Sequence, residues 1–198
     1  MTKKLAKIIS NILNPFLVSF VVIILLSFES TSSTSDAIKW ASISIALSVL
    51  PVFAVVVYLV RNKQLESIFV NPRRQRNKIY LLASTLAVVG CLVLFYAGAP
   101  RLLVAAFVAG LVGIVVFMGI NFFWKISLHT AFAAASVTVL IIVYGAIGAS
   151  TVVLLPPVAW ARTGTKLHSL AQVATGALLA AVIVAIVFWL FGLIGSHS

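Results

Sequence analysis

Residues 101–122, with the sequence RLLVAAFVAGLVGIVVFMGINF, decide the fold class of this chain. Arg101 is the only charged residue in that stretch, and a helix needs about 20 apolar residues to cross a bilayer. The whole chain has the same character, since 63% of its 198 residues are hydrophobic and 9% are charged. A soluble domain typically carries about 25% charged residues. The composition therefore predicts an integral membrane protein whose solvent is mostly lipid.

Seven apolar stretches are candidate membrane spans. One of them, 150–161, contains Pro156 and Pro157 and is short for a full crossing, so counting it gives seven crossings and omitting it gives six. We expect an all-α, polytopic transmembrane bundle of six to seven helices that forms a single integral membrane domain over residues 1–198. The approximate spans are 11–28, 38–60, 79–98, 101–122, 128–148, 150–161 and 167–195.

Positive charge is concentrated on one predicted face of the membrane. The net charge is +11, from 14 Lys and Arg against 3 Asp and Glu. With seven crossings, the N-terminus and the loops 61–78, 123–127 and 162–166 share a face that holds 12 of the 14 cations. The positive-inside rule predicts that this face is cytoplasmic, in a plasma (inner) membrane. Membrane lipids and an anionic lipid headgroup, rather than nucleic acid, are the expected partners.

Few side chains of this protein are suited to holding a metal ion. The acids Glu29, Asp36 and Glu66 all lie in the first third of the chain, and Cys91 is the only cysteine. Magnesium-dependent prenyl or phosphatidyl transferases need several carboxylates, and a Cys-x-x-Cys site needs a second cysteine. We therefore expect neither a metal nor another cofactor.

A polar cluster, Lys125-Ile126-Ser127-Leu128-His129, opens one of the predicted helices. Ser127 is a good N-cap residue. His129 then lies in the first turn, where free N–H groups and the positive end of the helix dipole favour an anion. An imidazole at this position can donate a proton to a leaving oxygen, and Lys125 adds positive charge.

A second cluster runs from Arg162 to the start of the last helix. Gln172 lies four residues after His168, on the same helix face, so its amide oxygen can accept a hydrogen bond from one imidazole N–H. That contact would fix the tautomer and leave the other ring nitrogen directed outward as a nucleophile. The Arg162 guanidinium can bind two phosphate oxygens. Two histidines with different roles, together with cations, suit phosphoryl transfer without metal.

A third cluster, Arg73-Arg74-Gln75-Arg76-Asn77-Lys78, is expected just before the span at 79–98. By itself it fits a topology determinant as well as an anion site. In this order, the three clusters resemble the three-part signature of the type 2 phosphatidic acid phosphatase superfamily, whose fold is shared with vanadium haloperoxidases. That signature is Lys-x6-Arg-Pro, then Pro-Ser-Gly-His, then Ser-Arg-x5-His-x3-Asp.

The resemblance covers about residues 61–180. The third part keeps its spacing as Ala161-Arg162-x5-His168-x3-Gln172. The second part keeps its serine and histidine in Ile126-Ser127-Leu128-His129. The first part is degenerate, since Lys78-Ile79 stands where Arg-Pro is expected and Asn71 stands where Lys is expected.

The resemblance implies a metal-independent lipid phosphate phosphatase in which His168 forms a phosphohistidine and His129 is the general acid. The implied catalytic residues are His168, His129 and Gln172, and the implied phosphate-binding residues are Arg162, Ser127, Lys125, Arg74, Arg76 and Lys78. Gln172 stands in place of an aspartate, which predicts a weaker or differently tuned nucleophile.

Two other functions are compatible with the sequence. A catalytically degenerate, lipid-binding scaffold of the same fold is favoured by Gln172 and by the degenerate first part. A small lipid transporter would need a polar path through the bundle, and almost no ionisable residues lie mid-span. Phosphatidic acid, phosphatidylglycerol phosphate and polyprenyl phosphates fit the headgroup chemistry equally, and the oligomeric state is open.

Overall fold

A computed structural model of the protein describes residues 2–68 and 72–194, and every regular element in these ranges is helical. The expected all-α class is therefore confirmed. The helices are α1 Thr2–Ile12, α2 Pro15–Glu29, α3 Thr34–Leu47, α4 Val49–Arg61, α5 Arg73–Tyr96, α6 Arg101–Asn121, α7 Leu128–Tyr144, α8 Ala146–Ala149, α9 Leu155–Gly164 and α10 Leu170–Leu190, with a 3-10 turn at Ser150–Leu154.

Five helical segments within the described ranges are long and apolar enough to cross a membrane. The chain is therefore a helical membrane protein with several candidate crossings. α7 has 17 residues, a length of roughly 26 Å that is a little less than the thickness of the hydrocarbon core. Six crossings would need α7 as well, and seven would also need the segment 150–161, so the count of six to seven stays a prediction. The five segments are Lys3–Glu29, Thr34–Arg61, Arg73–Tyr96, Arg101–Asn121 and Leu170–Leu190.

Two predicted spans are interrupted in the structure. The span 38–60 breaks at Ser48, where the backbone has φ −123° and ψ −75°. Pro51 explains the break, because proline has no N–H to donate and its ring clashes with the carbonyl three to four residues earlier. The span 11–28 is divided between α1 and α2 for a related reason, since Pro15 opens α2 as a favoured first helical residue.

Two other boundaries also differ from the prediction. The span 128–148 ends at Tyr144, because Gly145 adopts a φ of 58° that terminates the helix. The span 79–98 begins earlier, since the cluster 73–78 forms the first turns of α5 instead of a loop. Arg, Gln and Lys are good helix formers, and the extended backbone of Pro72 marks where that helix starts.

Residues 1–19 and 125–198 form one compact unit, called unit 1, and residues 20–124 form a second, called unit 2. In unit 1, α10 packs along α7, and α9 contacts α1, α7 and α10. The backbone N–H of Ser127 donates to the carbonyl of Gln172 at 3.4 Å. The Thr130 hydroxyl donates to the carbonyl of Val173 at 3.2 Å. The N-termini of α7 and α10 therefore lie side by side, and the chain between them leaves this end and returns to it.

The close approach of α7 to α10 depends on Gly176. A Cβ at this position would lie 2.9 Å from Cγ2 of Ile126 and 3.0 Å from the carbonyl oxygen of Ser127. Both neighbours are buried, so neither can move away easily. The absence of a side chain at Gly176 is what lets the two helix starts meet.

Unit 2 is built around α5 and α6, which pack together as neighbours in sequence, with α3 and α4 against α5. Asn121 Nδ2 donates to the carbonyl of Arg73 at 3.1 Å and to Oδ1 of Asn77 at 2.8 Å. Arg73 Nη1 donates to the carbonyl of Phe123 at 2.7 Å. These bonds attach the first turns of α5 to the end of α6.

Candidate functional site

Six of the nine predicted site residues lie near the neighbouring starts of α7 and α10 in unit 1. They lie at the start of α7, in the last turns of α9, at the start of α10, and in the segments just before α7 and α10. These six residues are Lys125, Ser127, His129, Arg162, His168 and Gln172.

His168 makes the contact that the sequence predicts. Its Nδ1 lies 3.0 Å from Oε1 of Gln172, and the side chain is 6% exposed. The backbone N–H of Ser169 donates to the same amide oxygen at 3.3 Å. Because a backbone N–H can only donate, this second bond orients the Gln172 oxygen toward the ring, so Nδ1 is the protonated nitrogen in the neutral imidazole.

The same residues form the N-terminal cap of α10. The backbone N–H of Gln172 donates to Oγ of Ser169 at 3.3 Å, which completes a reciprocal capping box. Gln172 is therefore held by the helix start and by His168 together. This arrangement restricts the rotamers of the histidine and its partner.

Arg162 is almost completely buried, with 2% of its surface exposed. Its Nη1 donates to Oγ of Ser10, on α1, at 2.7 Å. Its backbone carbonyl accepts from the N–H of His168 at 3.2 Å. The predicted phosphate-binding arginine and the predicted nucleophile are thus joined across one short loop.

Ser127 is the N-cap of α7, as predicted, and its Oγ accepts from the N–H of Thr130 at 3.5 Å. A hydroxyl that accepts this bond still has its own proton to donate. His129 follows in the first turn of α7 and is 4% exposed. The helix start thus carries both the serine and the histidine of the second motif.

Lys125 connects the two histidine-bearing segments. Its Nζ donates to the carbonyl of Leu167 at 3.4 Å. Leu167 immediately precedes His168, so this bond links the segment before α7 to the loop before α10. Lys125 therefore places positive charge beside the predicted nucleophile.

Unit 1 contains no Asp or Glu residue, because Glu29, Asp36 and Glu66 all belong to unit 2. Burying a cation costs free energy unless an opposite charge compensates it. Ser10 offers Arg162 a hydrogen bond but no negative charge. The side chains of this unit therefore carry six positive charges and no negative one. Its cations are Lys3, Lys4, Lys7, Lys125, Arg162 and Lys166.

Arg74, Arg76 and Lys78 belong to unit 2, in the first turns of α5. Arg74 and Lys78 are exposed, whereas Arg76 is buried and interacts with Tyr80, one helical turn further along. Their part in phosphate binding stays a prediction. Asn71, the position matched to the lysine of the first motif, lies outside the described residues.

Two residues of this arrangement are absent from the sequence prediction. Ser10 holds Arg162, and Thr130 ties α7 to α10. A signal for Ser10 exists in the sequence, since Ala6, Ser10 and Asn14 recur at four-residue spacing and all three are buried. Such a stripe of small and polar residues marks a face that packs closely against another helix.

No family model, curated protein or solved structure matches this chain. The resemblance to the type 2 phosphatidic acid phosphatase superfamily therefore stays a prediction from motif spacing. The function has to be inferred from the residues of the chain itself.

Proposed function

We propose that unit 1 hydrolyses the phosphate or pyrophosphate group of a membrane lipid, isoprenoid or glycerolipid, through a phosphohistidine at His168. The observation that carries this proposal is the 3.0 Å hydrogen bond between His168 Nδ1 and Gln172 Oε1. The backbone N–H of His168 also donates to the carbonyl of the buried Arg162. Both residues belong to a unit that has no Asp or Glu side chain. An oriented imidazole beside a buried cation is suited to attack on a phosphoryl group.

In the first step, Nε2 of His168 forms a bond to phosphorus while the bond from phosphorus to the leaving oxygen breaks. His129 donates a proton to that oxygen, so the lipid alcohol leaves in neutral form, or the lipid monophosphate leaves when the substrate is a pyrophosphate. Arg162, Lys125 and the Ser127 hydroxyl stabilise the equatorial phosphoryl oxygens. Nδ1–H of His168 stays hydrogen-bonded to Gln172 throughout.

In the second step, water attacks the phosphohistidine. His129, which lost its proton in the first step, accepts a proton from the water. The N–P bond breaks, inorganic phosphate leaves, and His168 is restored. No metal is needed to balance either step, since the cations of the site carry the positive charge.

The membrane setting agrees with this chemistry. Helices long enough to span a bilayer would hold the lipid tails, and the headgroup would enter from the basic face, which the positive-inside rule places in the cytoplasm of a plasma (inner) membrane. On this proposal the chain is a divergent member of the type 2 phosphatidic acid phosphatase superfamily.

One observation favours a second candidate, a lipid-phosphate-binding scaffold without turnover. Gln172 is neutral, so it orients His168 but adds no negative charge to stabilise the imidazolium that forms during attack. A site of this kind can retain phosphate affinity after the rate of the chemical step has fallen.

The test uses the full chain purified in detergent with EDTA and offered phosphatidic acid, phosphatidylglycerol phosphate and a polyprenyl phosphate. We expect phosphate release by the wild type and a loss of about 10³-fold or more in His168→Ala, because the nucleophile is removed. His197→Ala is the matched control, since it removes a histidine outside the motifs.

Rapid quenching with a substrate labelled in its phosphate should trap label on the wild-type protein as an alkali-stable, acid-labile phosphohistidine. His168→Ala hydrolysing as fast as wild type would refute the proposed nucleophile. Orthovanadate binding by a wild-type protein that releases no phosphate would instead support the scaffold.

A further inference from the structure

The buried hydrogen bond between Arg162 and Ser10 joins two parts of the chain that are 152 residues apart. α1 packs against α9, and the Ser10 hydroxyl meets the guanidinium at 2.7 Å. Both side chains are buried. The predicted phosphate-binding arginine is thus oriented by a helix that carries none of the predicted site residues.

A hydroxyl is well matched to orienting such an arginine. An arginine side chain has many rotamers, and holding it in one of them reduces the entropy lost when a ligand binds. A carboxylate at position 10 would form an ion pair and compete with phosphate for the guanidinium. Serine fixes the direction of the fork without adding a negative charge beside it.

The position of Ser10 is itself well defined. Asn14, four residues later and just beyond the end of α1, accepts from the N–H of Leu17 through its Oδ1 at 3.0 Å and donates to the carbonyl of Asn11 at 2.6 Å. These bonds fix the corner between α1 and α2. Ala6, one turn earlier, is a small buried residue that allows close packing.

We propose that Ser10 is a positioning residue of the phosphate site, which orients the guanidinium of Arg162 for the phosphoryl oxygens. The inference rests on the proposed function, because it takes Arg162 as a phosphate ligand. It makes α1 part of the site, through the Ser10 hydroxyl that holds Arg162.

The experiment compares Ser10→Ala, Ser10→Thr, Arg162→Ala and the Ser10→Ala/Arg162→Ala double variant in the full chain. KM and kcat are measured with the best lipid phosphate, and the Kd of orthovanadate is measured without turnover. Ser27→Ala is the matched control, since Ser27 is also buried and its hydroxyl donates within its own helix, to the Ile23 carbonyl at 2.8 Å.

We expect Ser10→Ala to lower kcat/KM about tenfold and to raise the vanadate Kd about tenfold, the usual effect of losing one hydrogen bond to a charged group. Ser10→Thr retains the hydroxyl and should restore most of the affinity. In the Arg162→Ala background, Ser10→Ala should weaken vanadate binding by less than about twofold further, because Ser10 acts through Arg162.

Wild-type affinity in Ser10→Ala, alongside weak vanadate binding by Arg162→Ala, would overturn the role of Ser10 and leave the proposed function intact. Equal losses in Ser10→Ala and Ser27→Ala, or additive effects in the double variant, would also overturn it. Unchanged activity and vanadate binding in both Arg162→Ala and His168→Ala would overturn the proposed function itself, and the Ser10 proposal with it.

Discussion

Gln172 interacts with two donors through one oxygen, the imidazole of His168 and the backbone N–H of Ser169. The second contact is part of the α10 capping box. Glutamate is the other residue that commonly completes such a box. Glutamate at position 172 would therefore add a negative charge and keep the same capping box. Comparing the two residues separates the orientation of the His168 ring from electrostatic stabilisation of its imidazolium form.

Gln172→Glu should raise the rate of phosphohistidine formation by roughly tenfold or more. A carboxylate at 3.0 Å from Nδ1 would still accept the imidazole proton and would also stabilise the imidazolium formed during attack. Single-turnover release of the lipid alcohol measures this step. Gln64→Glu adds the same charge at an exposed site and serves as the control.

Gln172→Ala should have the opposite effect, since it removes both the acceptor for His168 and half of the capping box. If Gln172→Glu is slower than wild type while its thermal unfolding is unchanged, charge at this position does not assist His168. The neutral side chain of Gln172 would then not explain a slow nucleophile at His168.

Local spacing explains which contacts of the site can be predicted from the sequence. His168 and Gln172 are four residues apart, which predicts their contact, but His168 lies just before the N-cap Ser169, so the capping box of α10 and not a shared helix face brings them together. Ser127 has the residue type and position of an N-cap. Ser10 and Arg162 are separated by 152 residues, and no local rule relates them. Contacts of that kind depend on tertiary packing.

The meeting of α7 and α10 is the element-scale feature that assembles the site. Apolar length predicts where both helices run, but it does not predict that their N-termini adjoin. That contact depends on Gly176, on the backbone bond from Ser127 to Gln172 and on the bond from the Thr130 hydroxyl to the Val173 carbonyl. Hydropathy also misses the breaks at Ser48 and Gly145, because proline and glycine interrupt helices without making a segment less apolar.

Gly176→Ala should destabilise the protein by about 1–3 kcal/mol, the usual effect of overpacking, and should lower phosphatase activity. Its Cβ would lie 2.9 Å from Ile126 and 3.0 Å from the Ser127 carbonyl, so the start of α7 must shift. Thermal unfolding in detergent and the orthovanadate Kd are the measurements.

Gly110→Ala is the control for this substitution, since a Cβ at Gly110 meets nothing within 4 Å. Alanine is favoured over glycine within a helix by roughly 1 kcal/mol, so this variant should be neutral or slightly stabilised. Equal stability of Gly176→Ala and Gly110→Ala would show that α7 and α10 do not need this close approach.

At the scale of the whole molecule, the distribution of charge predicts the orientation in the membrane. Of the 14 Lys and Arg residues, 12 lie in the N-terminus and in the segments 61–78, 123–127 and 162–166. In unit 1, Lys125 contacts the carbonyl of Leu167, which directly follows the last of these segments. The chain therefore leaves this end of unit 1 with α7 and returns to it by the end of α9.

Single cysteines in a Cys91→Ala background should reveal the orientation. In intact cells, a membrane-impermeant maleimide should label Ser32→Cys and should label Lys63→Cys and Gly164→Cys only after the membrane is broken. All three positions are exposed, and a Cβ at Gly164 makes only ordinary contacts, 3.7 Å or more from Trp160. If intact cells label Gly164→Cys while Lys63→Cys still needs a broken membrane, the chain has six crossings. Arg162 and His168 then lie at the outer face. External labelling of both Lys63→Cys and Gly164→Cys would reverse the predicted orientation, because the basic face would then lie outside.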